Sequence, residues 1–136
     1  MVHTVNVKIK VTSSEIDDIM CTAIEGGINY WCDGYYGSGG DFSLLPENQV
    51  EIKYEWEHLV YNGYLTMIED GNIEHKLDQE KFIKGLQMYI DKHHVTTINQ
   101  PCGLASKYTT IDTGDIDADG ADCIVQYALF GELKYC

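Results

Sequence analysis

Carboxylates stand at alternate positions in Asp115-Ile116-Asp117-Ala118-Asp119-Gly120, just ahead of a glycine. That is the opening of a calcium loop, where the acids converge on one ion and the glycine makes the sharp turn. Beyond it the pattern fails. The eighth position is Asp122 where an aliphatic residue belongs, and the twelfth is Gln126 in place of a bidentate glutamate. A neutral amide there removes a charge and a ligand oxygen, so these acids are expected to cap and charge a helix start. The five histidines give no better metal site. His93 and His94 are adjacent, and neighbouring side chains on a helix point about 100° apart. No metal is expected.

Nucleophilic chemistry needs a Cys or Ser beside a base and an orienting acid. Cys21 and Cys123 fall beside apolar stripes and read as small core residues, whereas Cys32 and Cys102 lie in loop-like sequence. There is no G-x-S-x-G elbow. Gly37-Ser38-Gly39-Gly40 lacks the Lys-Ser/Thr that completes a phosphate loop. The expectation is a protein that is not an enzyme and carries no cofactor. Aromatics are the remaining resource. Tyr30, Trp31, Tyr35 and Tyr36 crowd one region and Tyr54, Trp56, Tyr61 and Tyr64 another, among ten tyrosines in all. A phenol wants water or a partner at its polar end, so strand-surface packing, base stacking and a protein interface all suit them.

The elements that position these residues follow from periodicity. Residues 2–11 alternate Val5, Val7, Ile9 and Val11 with Thr4, Asn6, Lys8 and Lys10, which predicts a half-buried strand. Thr12 and Glu15 form a capping box, and Ile16, Ile19, Met20, Ala23, Ile24 and Trp31 mark one face of a helix. Glu15, Asp17, Asp18, Thr22 and Glu25 are assigned to its opposite, wet face. Gly26-Gly27 either ends this helix or lets another element come close. Residues 33–48 read as a loop. Residues 50–77 read as a three-stranded meander with hairpins at Asn62-Gly63 and Asp70-Gly71. Asp78 caps a second helix that stops near His93-His94. Residues 95–114 read as a connection with room for one short strand. Asp117 caps a third helix ended by Gly131, and residues 132–136 form a final strand able to pair with residues 2–11. The predicted fold is α+β, an antiparallel sheet with about three packed helices, in a single domain spanning residues 1–136.

Charge bounds the partners. The 136 residues hold 22 acids against nine bases, a net charge of −13, and every base is lysine. A chain without arginine lacks the planar fork that grips phosphates, and a field this negative repels polyanions. Direct DNA or RNA binding is therefore not expected, while a basic protein partner is permitted. No leader pattern precedes the first strand, and no run nears the ~18 apolar residues of a membrane span. Five cysteines without a CxxC pair read as reduced thiols, and the expected location is cytoplasmic.

Gly26-Gly27-Ile28-Asn29-Tyr30-Trp31 and the stretch Ala121-Asp122 through Gln126-Tyr127-Ala128-Leu129-Phe130-Gly131-Glu132 carry a resemblance. They resemble small acidic proteins of bacteriophages and prophages built as GG-x-NYW near the start and AD-x-x-x-QYALFGE near the close. Within that group the chain is similar to the Thoeris anti-defence sponge proteins. These are symmetric, non-catalytic assemblies that capture cyclic ADP-ribose-type signals in the host cell. The resemblance implies a homo-oligomer that binds a small nucleotide signal. It implies an aromatic such as Phe82 or Trp31 on the adenine, amides such as Asn29 or Asn99 on its polar edge, and Tyr30 beside them. Lysines, threonine hydroxyls and helix-start amides would have to replace arginine at phosphate. The alternatives are an acidic mimic of nucleic acid that blocks a defence nuclease, as some anti-CRISPR proteins do, and a phage structural or housekeeping protein. The mimic would draw on Asp17/Asp18, Glu55/Glu57, Glu69/Asp70/Glu74 and residues 112–122.

Overall fold

A computed structural model describes residues 1–101 and 107–136 of the chain. The fold is α+β. Helix α1 (Ser13–Thr22) runs directly into a π-helical turn (Ala23–Gly27). Strand β1 (Cys32–Ser38) follows, then a long connection holding a 3₁₀ turn (Phe42–Leu44) and the short helix α2 (Glu57–Val60). Strands β2 (Tyr64–Glu69) and β3 (Ile73–Asp78) lead into α3 (Gln79–Lys92). A second hairpin, β4 (Thr97–Pro101) and β5 (Lys107–Ile111), precedes α4 (Ala118–Phe130). The sheet β1–β2–β3 is antiparallel throughout, with Leu65 opposite both Gly37 and Leu77, and β4–β5 is a separate antiparallel pair.

Four sequence signals produce the elements they predict. Asp78 accepts from the Lys81 N–H at 2.9 Å and starts α3. Asp117 accepts from the Gly120 N–H at 2.8 Å and starts α4, which Gly131 closes at φ 71°. Asp70-Gly71 turns β2 into β3 with φ of 53° and 75°, the positive pair a tight hairpin needs. Helices α3 and α4 pack face to face over Gly85, where a Cβ would sit 2.6 Å from the Ala128 nitrogen. Phe82 and Leu86 of α3, Ile124 and Val125 of α4 and Leu65 and Leu77 of the sheet are buried together in the core.

Elsewhere the chain departs from its local pattern. Residues 2–11 form no strand beyond one bridge, Ile9 opposite Thr109, and residues 132–136 are irregular and pair with Gln126 and Glu69 instead. The meander's first strand is β1, inside the stretch read as a loop, and residues 50–56 are not a strand. Glu57 explains this: its buried carboxylate accepts from the Lys53 and Tyr54 N–H groups at 3.0 and 2.9 Å and from Gln49 Nε2 at 2.6 Å. It folds that segment into a turn against its own helix. Asn62-Gly63 closes α2 rather than a hairpin, since the Gly63 N–H donates back to the His58 carbonyl at 2.6 Å. Residues 95–114 hold two strands where one was expected. The Thr12 hydroxyl donates to the Glu15 side chain, and Glu15 is buried against Thr110, not on a wet face.

Candidate functional site

The site begins at the π turn. There the Ile28 N–H reaches back five residues to the Ala23 carbonyl at 3.1 Å, and the chain leaves the helix axis. Gly27 lets α4 come against this turn, since a Cβ would stand 2.6 Å from the Ala118 carbonyl oxygen. That approach brings Tyr30 and Trp31 onto the side of α4. The Trp31 Nε1 donates to Asp122 Oδ1 at 2.7 Å, and the Tyr30 hydroxyl donates to Asp122 Oδ2 at 2.5 Å. Gln126, one turn on, donates to Asp122 Oδ1 at 2.9 Å and to the Tyr30 oxygen at 3.3 Å. Its Oε1 accepts the Lys134 and Tyr135 N–H groups at 2.9 and 2.8 Å. Since those backbone groups only donate, they fix which end of the amide is oxygen.

The C-terminal segment thus becomes a strap over the site. Tyr135 lies flat against Trp31, centroids 5.7 Å apart and planes within 1°. Beneath the strap, Glu69 is 1% exposed and accepts from Lys134 Nζ at 2.6 Å, the Tyr135 hydroxyl and His75 Nε2 at 2.9 Å. Lys134 first and Tyr135 second hold its carboxyl down at about 2. Burial first, and donation to Asp122 second, push the Tyr30 hydroxyl up to about 12. The phenol stays neutral and remains a donor at any ordinary pH.

Beside this network opens a cavity of about 440 Å³ lined by Tyr30, Asp119, Asp122, Cys123, Leu133, Tyr135 and Cys136. The volume is in the range of small-molecule sites. Its wall offers two aromatic rings, an aliphatic side chain, two carboxylates and no cation.

The expected binding residues divide here. Asn29 is exposed, Tyr30 is 55% exposed on the cavity wall, and Trp31 is buried behind it as part of the wall's support. Phe82 is 0% exposed, on the face of α3 turned into the core, so stacking on an incoming base is ruled out for it. Asn99 lies on the β4–β5 hairpin, where its side-chain oxygen accepts from the Thr109 hydroxyl at 3.1 Å, and it does not line the cavity. Cys32, read as loop-like, is buried in β1, and burial pushes its thiol up. Cys102 lies outside the described residues. Among the described residues no three His, Cys, Asp or Glu side chains converge as a metal would require. Asp117 of the D-x-D-x-D run caps α4, and Gln126 at the run's missing ligand position clasps the strap.

Sequence reasoning did not place Asp122, Glu69, Leu133 or Tyr135 in this site. Asp122 and Gln126 were visible as residues that spoil a calcium loop, and their spacing of four already placed them on one helix face. Glu69 and the strap gave no signal, because their contacts join residues 65 and 66 positions apart. No helix among the described residues is long and apolar enough to cross a membrane. Comparison with protein-family models, curated proteins and solved structures finds no match to this chain.

Proposed function

We propose that the protein works by binding, not by catalysis, and that it holds a small ligand in the cavity beside Tyr30. The cavity itself carries this reading, because its wall is fixed before any ligand arrives. Each Asp122 oxygen already has a donor, and the rings are braced by Trp31 and the strap, so little ordering remains to oppose binding. Burial raises the thiols of Cys21, Cys32 and Cys123, which keeps them protonated and poor nucleophiles. Following the sequence resemblance, the ligand is a cyclic ADP-ribose-type immune signal, and the protein is a phage-encoded sponge acting in the bacterial cytoplasm. The carboxylates determine its orientation. Adenine lies on tyrosine with its amino group toward Asp119 and Asp122, and the phosphates point to solvent because Lys134 is engaged by Glu69.

The test is to mix the purified protein with extract from cells in which nucleotide-signalling defence has been triggered, wash it, denature it by heat and analyse the released material by mass spectrometry. An intact cyclic nucleotide is the expected result. It should raise the unfolding free energy by about 2.7 kcal/mol at a hundredfold excess over Kd. Tyr30→Ala should abolish capture. A signal left unbound in the wash refutes the sponge, and a signal recovered as fragments means catalysis.

One observation favours a second reading, the acidic inhibitor of a defence nuclease. Four of the 22 acids are buried, which leaves 18 with solvent access, and among the described residues only Lys84 and Lys134 form lysine–carboxylate pairs. Glu57, Glu69 and Asp122 are internal and drop out of any phosphate mimicry. This reading predicts salt-sensitive capture of a basic nuclease and no released nucleotide.

A further inference from the structure

The chain's acids begin at Glu15. Residues 1–14 therefore carry Lys8 and Lys10 and no carboxylate, while all 22 acids and the remaining seven of nine lysines lie beyond. This arm also has the strand alternation that the fold leaves unused. The Lys10 N–H donates to the Thr109 carbonyl at 2.8 Å, and Ile9 stands opposite Thr109 in a parallel bridge. Continued backwards, that register sets Val7 opposite Lys107, the first residue of β5, and residues 2–6 run past it. Val5 and Val7 are 83% and 69% exposed. Their face continues into a groove of about 360 Å³ between the arm and α3, lined by Val7, Ile9, Val11, Ile83, Leu86 and Ile90 together with Lys8 and Gln87.

We propose that residues 2–10 of two copies pair antiparallel about a two-fold axis through Asn6, joining two β4–β5 hairpins into one continuous sheet. The distribution of charge selects a second copy as the occupant, and two further observations set the register. Two chains of net charge −13 repel, and the arm is the segment through which they meet without opposing carboxylates. Side-chain period 2 requires odd residues to oppose odd ones if the valines are to share a face. The axis at Asn6 meets that requirement along the whole arm, with Val5 opposite Val7 of the second copy and His3 opposite Ile9. The same axis sets Lys8 opposite Thr4 and Lys10 opposite Val2, whereas a parallel in-register pair would stack lysine on lysine. The pairing is therefore closed, and Val5 and Val7 of both arms complete the floor beneath Ile83.

This inference does not rest on the ligand reading and is tested without any ligand. Sedimentation of the full chain across a concentration series should show a monomer–dimer equilibrium. It should tighten as salt screens the repulsion between the bodies. The double variant Val5→Lys/Val7→Lys should weaken it at least tenfold and leave the melting temperature of the dilute, monomeric chain unchanged, since both side chains are exposed in the single chain. In a Cys136→Ser background, Asn6→Cys should form an interchain disulfide under mild oxidation at least tenfold faster than Thr4→Cys. Directly opposed residues sit within disulfide reach, while two copies of position 4 would be separated by about 13 Å. A chain that stays monomeric at every concentration overturns the proposal, as does a dimer indifferent to the double variant. Equal crosslinking at positions 4 and 6 overturns the two-fold register. A monomer whose residues 2–6 are protected from hydrogen exchange means that the arm closes on its own chain, which also refutes it.

Discussion

Replacing Asp122 with alanine tests whether one carboxylate organises the site. Three donors lose their acceptor: the Trp31 indole, the Gln126 amide and the Tyr30 hydroxyl. Tyr30 is 55% exposed and water can serve it, so only the two buried donors count. A buried donor left unsatisfied costs about 1–3 kcal/mol, which gives about 2–6 kcal/mol for the pair. Against a total stability of about 5–15 kcal/mol that is a large loss. Asp122→Asn keeps Oδ1 for Trp31 and Gln126 but sets a donor amide where Oδ2 accepted the Tyr30 hydroxyl, which water can serve, so it should cost less than alanine, about 1–2 kcal/mol. Urea unfolding followed by circular dichroism measures both. The two indoles supply an internal control, since Trp56 Nε1 donates to Asp17 at 2.8 Å, far from the substitution in sequence. In a ¹⁵N-edited spectrum the Trp31 indole peak should move and the Trp56 peak should stay. An alanine variant within about 0.5 kcal/mol of the parent, with both peaks in place, refutes the argument.

Three further outcomes follow from the same structure. Gly85→Ala should destabilise by about 1–3 kcal/mol in thermal unfolding, because its Cβ would meet the Ala128 nitrogen at 2.6 Å and the Ile124 carbonyl oxygen at 2.7 Å. The Glu69 carboxyl sits at about 2 in the folded chain against 4.5 ordinarily. Its stabilisation is thus present above about pH 4.5 and lost as pH falls through about 2. Glu69→Gln should flatten acid unfolding across that window, and an unchanged acid limb would count against the clasp. Tyr30 should ionise near pH 12, after the ordinary phenols near 10, so its contribution holds below pH 10 and fades through 12. Absorbance titration at alkaline pH should show this late step, and Tyr30→Phe should remove it.

What could be read from the chain is what depends on near neighbours. Asp78, Asp117, Gly131 and Asp70-Gly71 act within four residues of themselves, and each does what its type predicts. Strand β1 was illegible because Cys-Asp-Gly-Tyr-Tyr-Gly-Ser has no alternation. It is a strand because β2 offers its edge, and because Gly37 leaves room for the Glu55 carbonyl and the His58 ring, each 2.3 Å from where a Cβ would stand. The opposite error at residues 50–56 has a matching cause, since Glu57 offers those amides a nearer acceptor than any strand would. Half of the site was legible in the same way. The two stretches that carried the resemblance meet at Asp122, but the strap that covers them is held by Glu69 from another element, and no spacing in the sequence announces it.

The turn at Ala23–Gly27 makes the site depend on a residue count as well as on residue types. A π turn holds one residue more per hydrogen bond than an α turn, and such insertions recur where a chain must be re-aimed. Each residue advances a helix by about 100°. Deleting any one of the five would let the turn close as ordinary helix and shift everything after it out of phase by about that angle. Tyr30 and Trp31 would keep their chemistry and face away from Asp122. The motif is thus a matter of reading frame in space, and a variant could retain every aromatic and acid of the site and still have none.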